Sequence, residues 1–217
     1  VAEHVIAVHL PTTPTSGTAI SIQGGIGSTN IYNNTIFGFY NNIDVNSGHN
    51  MNIRNNHIIA SVQDAIILGN ILEPDAGSFM VHDNYIMTGS LPTTTARGVY
   101  LKGGGCVNIS RNMFNAQLPL DTVTCFIYQV YSDFVLGLSS EVKIEDNFFD
   151  NYQTNAVRLR NKNSNILRIG NVSISRNNIA PLNDNVHTLA AIDVVGFKNM
   201  NISDNVAVNG YLQPVIK

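Results

Sequence analysis

Asn52-Ile53-Arg54-Asn55-Asn56-His57-Ile58 is the stretch from which the fold is read. Its pattern is an aliphatic residue, two others, an asparagine, one more residue and an apolar one, and it recurs along the chain. Ile31, Ile53, Val81, Ile109, Ile144, Ile174 and Ile202 open the copies. Asn34, Asn56, Asn84, Asn112, Asn147, Asn177 and Asn205 hold the fourth position, and Ile36, Ile58, Ile86, Phe114, Phe149, Ile179 and Ala207 close the unit. Successive asparagines lie 22, 28, 28, 35, 30 and 28 residues apart. Self-similarity at periods of roughly 20 to 50 residues marks a solenoid, in which each repeat buries its apolar face against its neighbours.

Outward from this unit, each repeat carries a second strand: a small or polar residue, an apolar and usually β-branched one, any residue, then another apolar one. The copies are Ala19-Ile20-Ser21-Ile22, Asn42-Ile43-Asp44-Val45, Ala65-Ile66-Ile67-Leu68, Gly98-Val99-Tyr100-Leu101, Ala156-Val157-Arg158-Leu159 and Ala191-Ile192-Asp193-Val194. One copy has two frames, Cys125-Phe126-Ile127-Tyr128 and Ile127-Tyr128-Gln129-Val130. Short alternation rich in Ile and Val is a strand signature, and no stretch shows the longer spacing of three and four that a helix needs. The sequence therefore predicts an all-β protein: a single-stranded parallel β-helix of about seven to eight coils, its asparagines stacked at one corner. Strand spacing of about 4.8 Å gives seven coils a rise of roughly 35 Å.

Composition narrows the function classes. Charged residues are 12% of the chain and the net charge is -3, which leaves no basic field for nucleic acid. Polarity comes instead from 30 asparagines with many Ser, Thr and Gly, a surface that suits sugar hydroxyls and turns alike. Val1–Leu10 has too short an apolar run for a membrane span or a signal peptide, so no membrane insertion is expected. Cys106 and Cys125 lack metal-ligand spacing and are expected to be buried thiols. Both ends, Val5–Leu10 and Tyr211–Lys217, read as strands without polar caps, so residues 1–217 are expected to be one β-helix domain excerpted from a longer protein.

Leucine-rich repeats share the fragment apolar, two residues, Asn, residue, apolar, but Ile outnumbers Leu 24 to 14 here, the period wanders and the second element is a strand. From about Gly17 to Ala207 the chain resembles right-handed parallel β-helix proteins of the pectate-lyase-like superfamily. Its short strands, Asn-rich turns and Thr/Pro loops such as Leu91-Pro92-Thr93-Thr94-Thr95 look most like phage tailspike polysaccharide depolymerases. That resemblance implies a homotrimer, on a virion (phage tail) or extracellular, that binds and cleaves bacterial surface polysaccharide with carboxylates in a groove. The chain departs from polygalacturonase-like hydrolases: it has no Asp-Asp pair, and only Ser47-Gly48-His49-Asn50 approaches a Gly-His-Gly turn. The column where pectate-lyase-like enzymes bind calcium is Tyr32, Arg54, His82, Ser110, Glu145, Ser175 and Ser203, which offers no carboxylate cluster. No metal or other cofactor is expected.

Loops leaving equivalent corners become neighbours, and the corner after the second strand gathers the charged residues. His49, Glu73, Asp75, Lys102 with Gly103-Gly104-Gly105, Asp133, Arg160, Lys162 and Lys198 fall there. Glycosidic cleavage needs an acid for the leaving oxygen and a base or nucleophile opposite it. Glu73 and Asp75 are the first choice for that pair, with His49, Lys102, Asp133 and Arg160 binding substrate. A plain solvated turn is the competing reading of Glu73-Pro74-Asp75-Ala76-Gly77, and Asp64 opposite Arg97 is a weaker alternative site. The column Thr35, His57, Tyr85, Met113, Phe148, Asn178 and Val206 points outward and could stack on sugars or form the seam of a trimer. Ala19, Ala65, Gly98, Ala156 and Ala191 are read as a second outward edge of small residues that lets a neighbour approach. Arg158 beside Asp193 is read as a surface ion pair. Non-catalytic glycan binding, a structural fibre shaft, and a secreted polysaccharide lyase or hydrolase remain alternatives.

Overall fold

The computed structural model describes residues 1, 3–7, 16–24, 27–46, 50–69, 77–88, 96–103, 105–116, 124–131, 141–152, 155–161, 170–181 and 190–207. Among them every regular element is a strand, and the strands form three sheets of seven, eight and seven members with only parallel pairing. Such a sheet closed through crossovers is a right-handed parallel β-helix. Each coil contributes one strand to each sheet. The leading sheet holds Ser28–Tyr32, Asn50–Arg54, Ser78–His82, Cys106–Ser110, Glu141–Glu145, Asn171–Ser175 and Asn199–Ser203. The trailing sheet runs from Val5–Ala7 through Thr35–Phe37, His57–Ser61, Tyr85–Thr88, Met113–Ala116, Phe148–Tyr152 and Asn178–Pro181 to Val206–Ala207. The back sheet comprises Thr18–Ile22, Asn41–Val45, Asp64–Leu68, Ala96–Leu101, Thr124–Tyr131, Asn155–Asn161 and Ile192–Val195.

Three strands per coil, rather than two, is the first difference from the sequence reading. The recurring unit is not one strand but the end of a leading strand, a two-residue corner and the start of a trailing strand. The bend sits at the residue before each ladder asparagine: Asn33, Asn55, Asp83, Arg111, Asp146, Arg176 and Asp204 all have φ between 53° and 58°. That left-handed conformation is tolerated by Asn and Asp and costs more at arginine.

Inside the coil, aliphatic columns stack in register. Ile31, Ile53, Val81, Ile109, Ile144 and Ile174 are fully buried, as are Ile36, Ile58, Ile86, Phe114 and Phe149 across the corner. Ile43, Ile66, Val99, Ile127, Val157 and Ile192 close the core from the back sheet.

The small residues of the back sheet also face this core, contrary to the outward edge read from sequence. Ala65 and Ala156 are fully buried in the core cluster and Ala191 is 4% exposed. At Gly98 an added Cβ would lie 2.7 Å from the Phe126 carbonyl oxygen and 2.9 Å from the Phe114 ring. Space is needed there for stacked aromatics: the Phe114 ring lies 5.6 Å from Phe126 and 5.1 Å from Phe149. The same register settles the ambiguous copy. Ile127 pairs between Val99 and Val157, so Phe126 occupies the small-residue position and neither sequence frame holds. Cys125 is buried and its thiol pushed up to about 12 by that burial, whereas Cys106 is exposed at the start of its strand, contrary to expectation.

Candidate functional site

The asparagine corner is fully committed to holding the fold. Asn34, Asn56, Asn84, Asn112, Asn147 and Asn177 are at most 2% exposed. Each Nδ2 donates to the Oδ1 of the next rung, from Asn34 to Asn56 at 2.9 Å through Asn177 to Asn205 at 2.9 Å. The same Oδ1 atoms also accept the backbone N–H of the preceding asparagine, at 2.9 to 3.0 Å. From Asn56 onward, Nδ2 also reaches back to the carbonyl of the residue that opens the preceding unit, as Asn112 does to Val81 at 2.8 Å. On these six buried asparagines no side-chain donor or acceptor is left over for a ligand.

Loop length sets the two sides of the coil apart. At the asparagine corner the leading and trailing strands are always joined by two residues. The variation in connection length falls at the two edges of the back sheet: segments 8–15, 89–95, 117–123 and 182–189 precede its strands, and 70–76, 132–140 and 162–169 follow them. Function on a rigid coil concentrates where such segments border a common face.

That outer face is unusually charged for a half-buried surface. Asp64 and Arg97 lie opposite one another in register. Arg97 Nε donates to Asp64 Oδ1 at 2.5 Å and Nη2 to Oδ2 at 2.8 Å, with the side chains 13% and 3% exposed. Burial raises the Asp64 pKa, and the Arg97 hydrogen bond opposes that rise without cancelling it. The Arg97 guanidinium carbon sits 3.9 Å from the Tyr100 ring centroid, and Lys102 Nζ lies 5.4 Å from the same ring. Farther along the face Asp193 is 6% exposed, bound by Arg160 at 2.6 Å, with Arg158 Nε 3.7 Å away. The pair read as a surface contact is therefore a buried carboxylate with two arginines. Burial could not be read from sequence, because an outward position on an alternating strand is ordinarily wet.

Of the expected substrate-binding residues, Lys102 lies just past its strand, where its N–H bonds the Leu68 carbonyl at 2.7 Å. Arg160 belongs to a back-sheet strand instead of the loop that follows it. Gly69, with φ 84°, leaves the preceding coil hard against the Gly103 backbone, too close for any side chain. His49, Glu73, Asp75, Asp133 and Lys162 lie outside the described residues. Asp64 and Asp193 are four strand steps apart, roughly 19 Å, too far to act as one carboxylate pair.

The outward column beside the ladder is in register as expected, with Met113 40% and Val206 55% exposed and the His57 and Tyr85 rings 4.8 Å apart edge to face. Among the described residues no group of three His, Cys, Asp or Glu side chains could hold a metal ion, and no helix is long and apolar enough to cross a membrane. No protein-family model, no curated protein and no solved structure matches this chain, so its functional reading comes from its own residues.

Proposed function

We propose that the chain is the β-helix domain of a phage tailspike that binds and degrades a bacterial surface polysaccharide, on a virion or in the extracellular space. The observation that carries this reading is the back-sheet face, where Asp64, Arg97, Tyr100, Lys102, Arg158, Arg160 and Asp193 line a surface bordered by the variable segments. An aromatic ring offers a stacking plane for a sugar, and carboxylate–arginine pairs match its hydroxyls. Both Asp64 oxygens are taken by Arg97, so this carboxyl orients the arginine. Cleavage is assigned to Glu73 and Asp75, which follow Gly69 in the chain, with His49, Lys102, Asp133 and Arg160 binding the glycan. The exposed Met113 and Val206 column is the proposed seam of a homotrimer.

Reducing-end release from a panel of capsular and lipopolysaccharide substrates tests the reading. Glu73→Gln and Asp75→Asn should each abolish release while leaving binding intact; full release by both variants removes the assignment. A second reading, a non-catalytic glycan-binding or shaft module, is favoured by the arginine engagement of both buried carboxylates. Binding without release by the unaltered chain decides for the glycan-binding module, and neither binding nor release for the shaft.

A further inference from the structure

One charge cluster on the back-sheet face is incompletely paired. Arg160 directs both Nε and Nη2 at Asp193 Oδ2, at 2.7 and 2.6 Å. Arg158, which faces Asp193 in register, reaches that oxygen only at 3.7 Å, beyond hydrogen-bond length. Its Nε is buried without a partner, and so is Asp193 Oδ1. The Asp193 side chain is 94% buried, whereas 35% of the Arg158 side chain is exposed. Two cations against one carboxylate leave a local positive charge on a chain whose net charge is -3. Two strand steps toward the other end of the face, about 10 Å, Arg97 and Lys102 flank Tyr100.

We infer that Arg158, Arg160 and Asp193 form a subsite for an acidic sugar: its carboxylate pairs with Arg158 and a neighbouring hydroxyl donates to Asp193 Oδ1. The inference rests on the glycan reading above and narrows the substrate class to polyanionic polysaccharides. A neutral sugar supplies the hydroxyl but leaves the guanidinium charge uncompensated. A hydroxy acid satisfies both atoms, and the planar fork of arginine matches its carboxylate.

The test immobilises acidic bacterial polysaccharides beside the same polymers after carboxyl reduction and measures binding of the full chain at low and high salt. Acidic forms should bind about tenfold or more tighter than reduced ones, the ratio expected for one charge-assisted pair, and the preference should shrink in salt. Arg158→Gln should bring acidic binding down to the reduced level, and Arg158→Lys should restore it in part. Equal binding of both forms by the unaltered chain overturns the subsite and leaves the glycan reading standing, and this arm needs no variant to fold. A preference that survives Arg158→Gln also overturns it. No binding to any glycan overturns both.

Discussion

A single ladder asparagine shows why this residue type recurs and what its loss costs. Asn112 donates from Nδ2 to Val81, Ser110 and Asn147, and its Oδ1 accepts from both the backbone and the side chain of Asn84. Leucine at 112 strands buried partners on both neighbouring coils, and each unsatisfied group costs about 1 to 3 kcal/mol. Asn115, half-buried with a 3.4 Å contact to Asp150, has little to lose. Urea melts should show Asn112→Leu destabilising by several kcal/mol and Asn115→Leu by about 0.5 kcal/mol; equal shifts would speak against the ladder. Asn42 gives the opposite sign. It is fully buried, neither of its amide atoms has a partner, and equivalent positions on adjacent coils carry Ala19 and Ala65. Asn42→Ala should therefore stabilise the fold by about 1 kcal/mol, and a lower denaturation midpoint would contradict this. Both asparagines look alike in sequence; only the seven-fold recurrence distinguishes the one that is satisfied.

At the scale of the element, the corner combines a constant backbone with variable side chains. Because the left-handed position is Asn, Asp or Arg and never Gly, its composition does not mark the bend; the asparagine corner was read from recurrence, but the separate strand beyond it was not. The alternation of Asp83, Arg111, Asp146 and Arg176 along this corner was likewise invisible until the register was fixed. Arg111 binds Asp83 at 2.8 and 2.9 Å, and Arg176 binds Asp146 at the same distances. The Arg111 hydrogen bond, aided by His82, lowers the Asp83 pKa to about 2. A carboxyl lowered in the folded state contributes stability above its unfolded pKa, near 4, and loses it as pH falls through about 2. Arg111→Ala should flatten the stability loss between pH 4 and 2. Because Asp83 is more than a third exposed, the effect at neutral pH should stay under about 1 kcal/mol. An unchanged acid limb in pH-dependent melts would show that the corner pairs contribute nothing.

Over the whole molecule, register makes the coil a unit that can be removed. Ser28 pairs with Asn50, so deletion of 28–49 joins two equivalent positions and lets Thr18–Ile22 meet Asp64–Leu68. The shortened chain should still unfold in one cooperative step, with its urea m-value reduced by about a tenth, in line with the surface lost. A non-cooperative transition would show that coils are not interchangeable. The path of the coil was legible in the sequence because Ile and Asn recur in phase. The candidate site was legible only in part: Asp64 with Arg97 and Arg158 with Asp193 followed from register, but their burial and the joining of Arg160 did not, since strand alternation fixes which face a residue takes and not what covers that face.

The ladder also gives the molecule an arrow. Every rung passes its hydrogen bond from an Nδ2 to the Oδ1 of the following coil, so acceptors face one end of the axis and one donor per rung the other. Aligned amide dipoles polarise one another along such a chain. A further coil can extend it only if its sense is kept, because an inverted coil sets donor against donor. Growth by gene duplication, grafting of foreign coils and end-on contact between copies are all restricted to head-to-tail order.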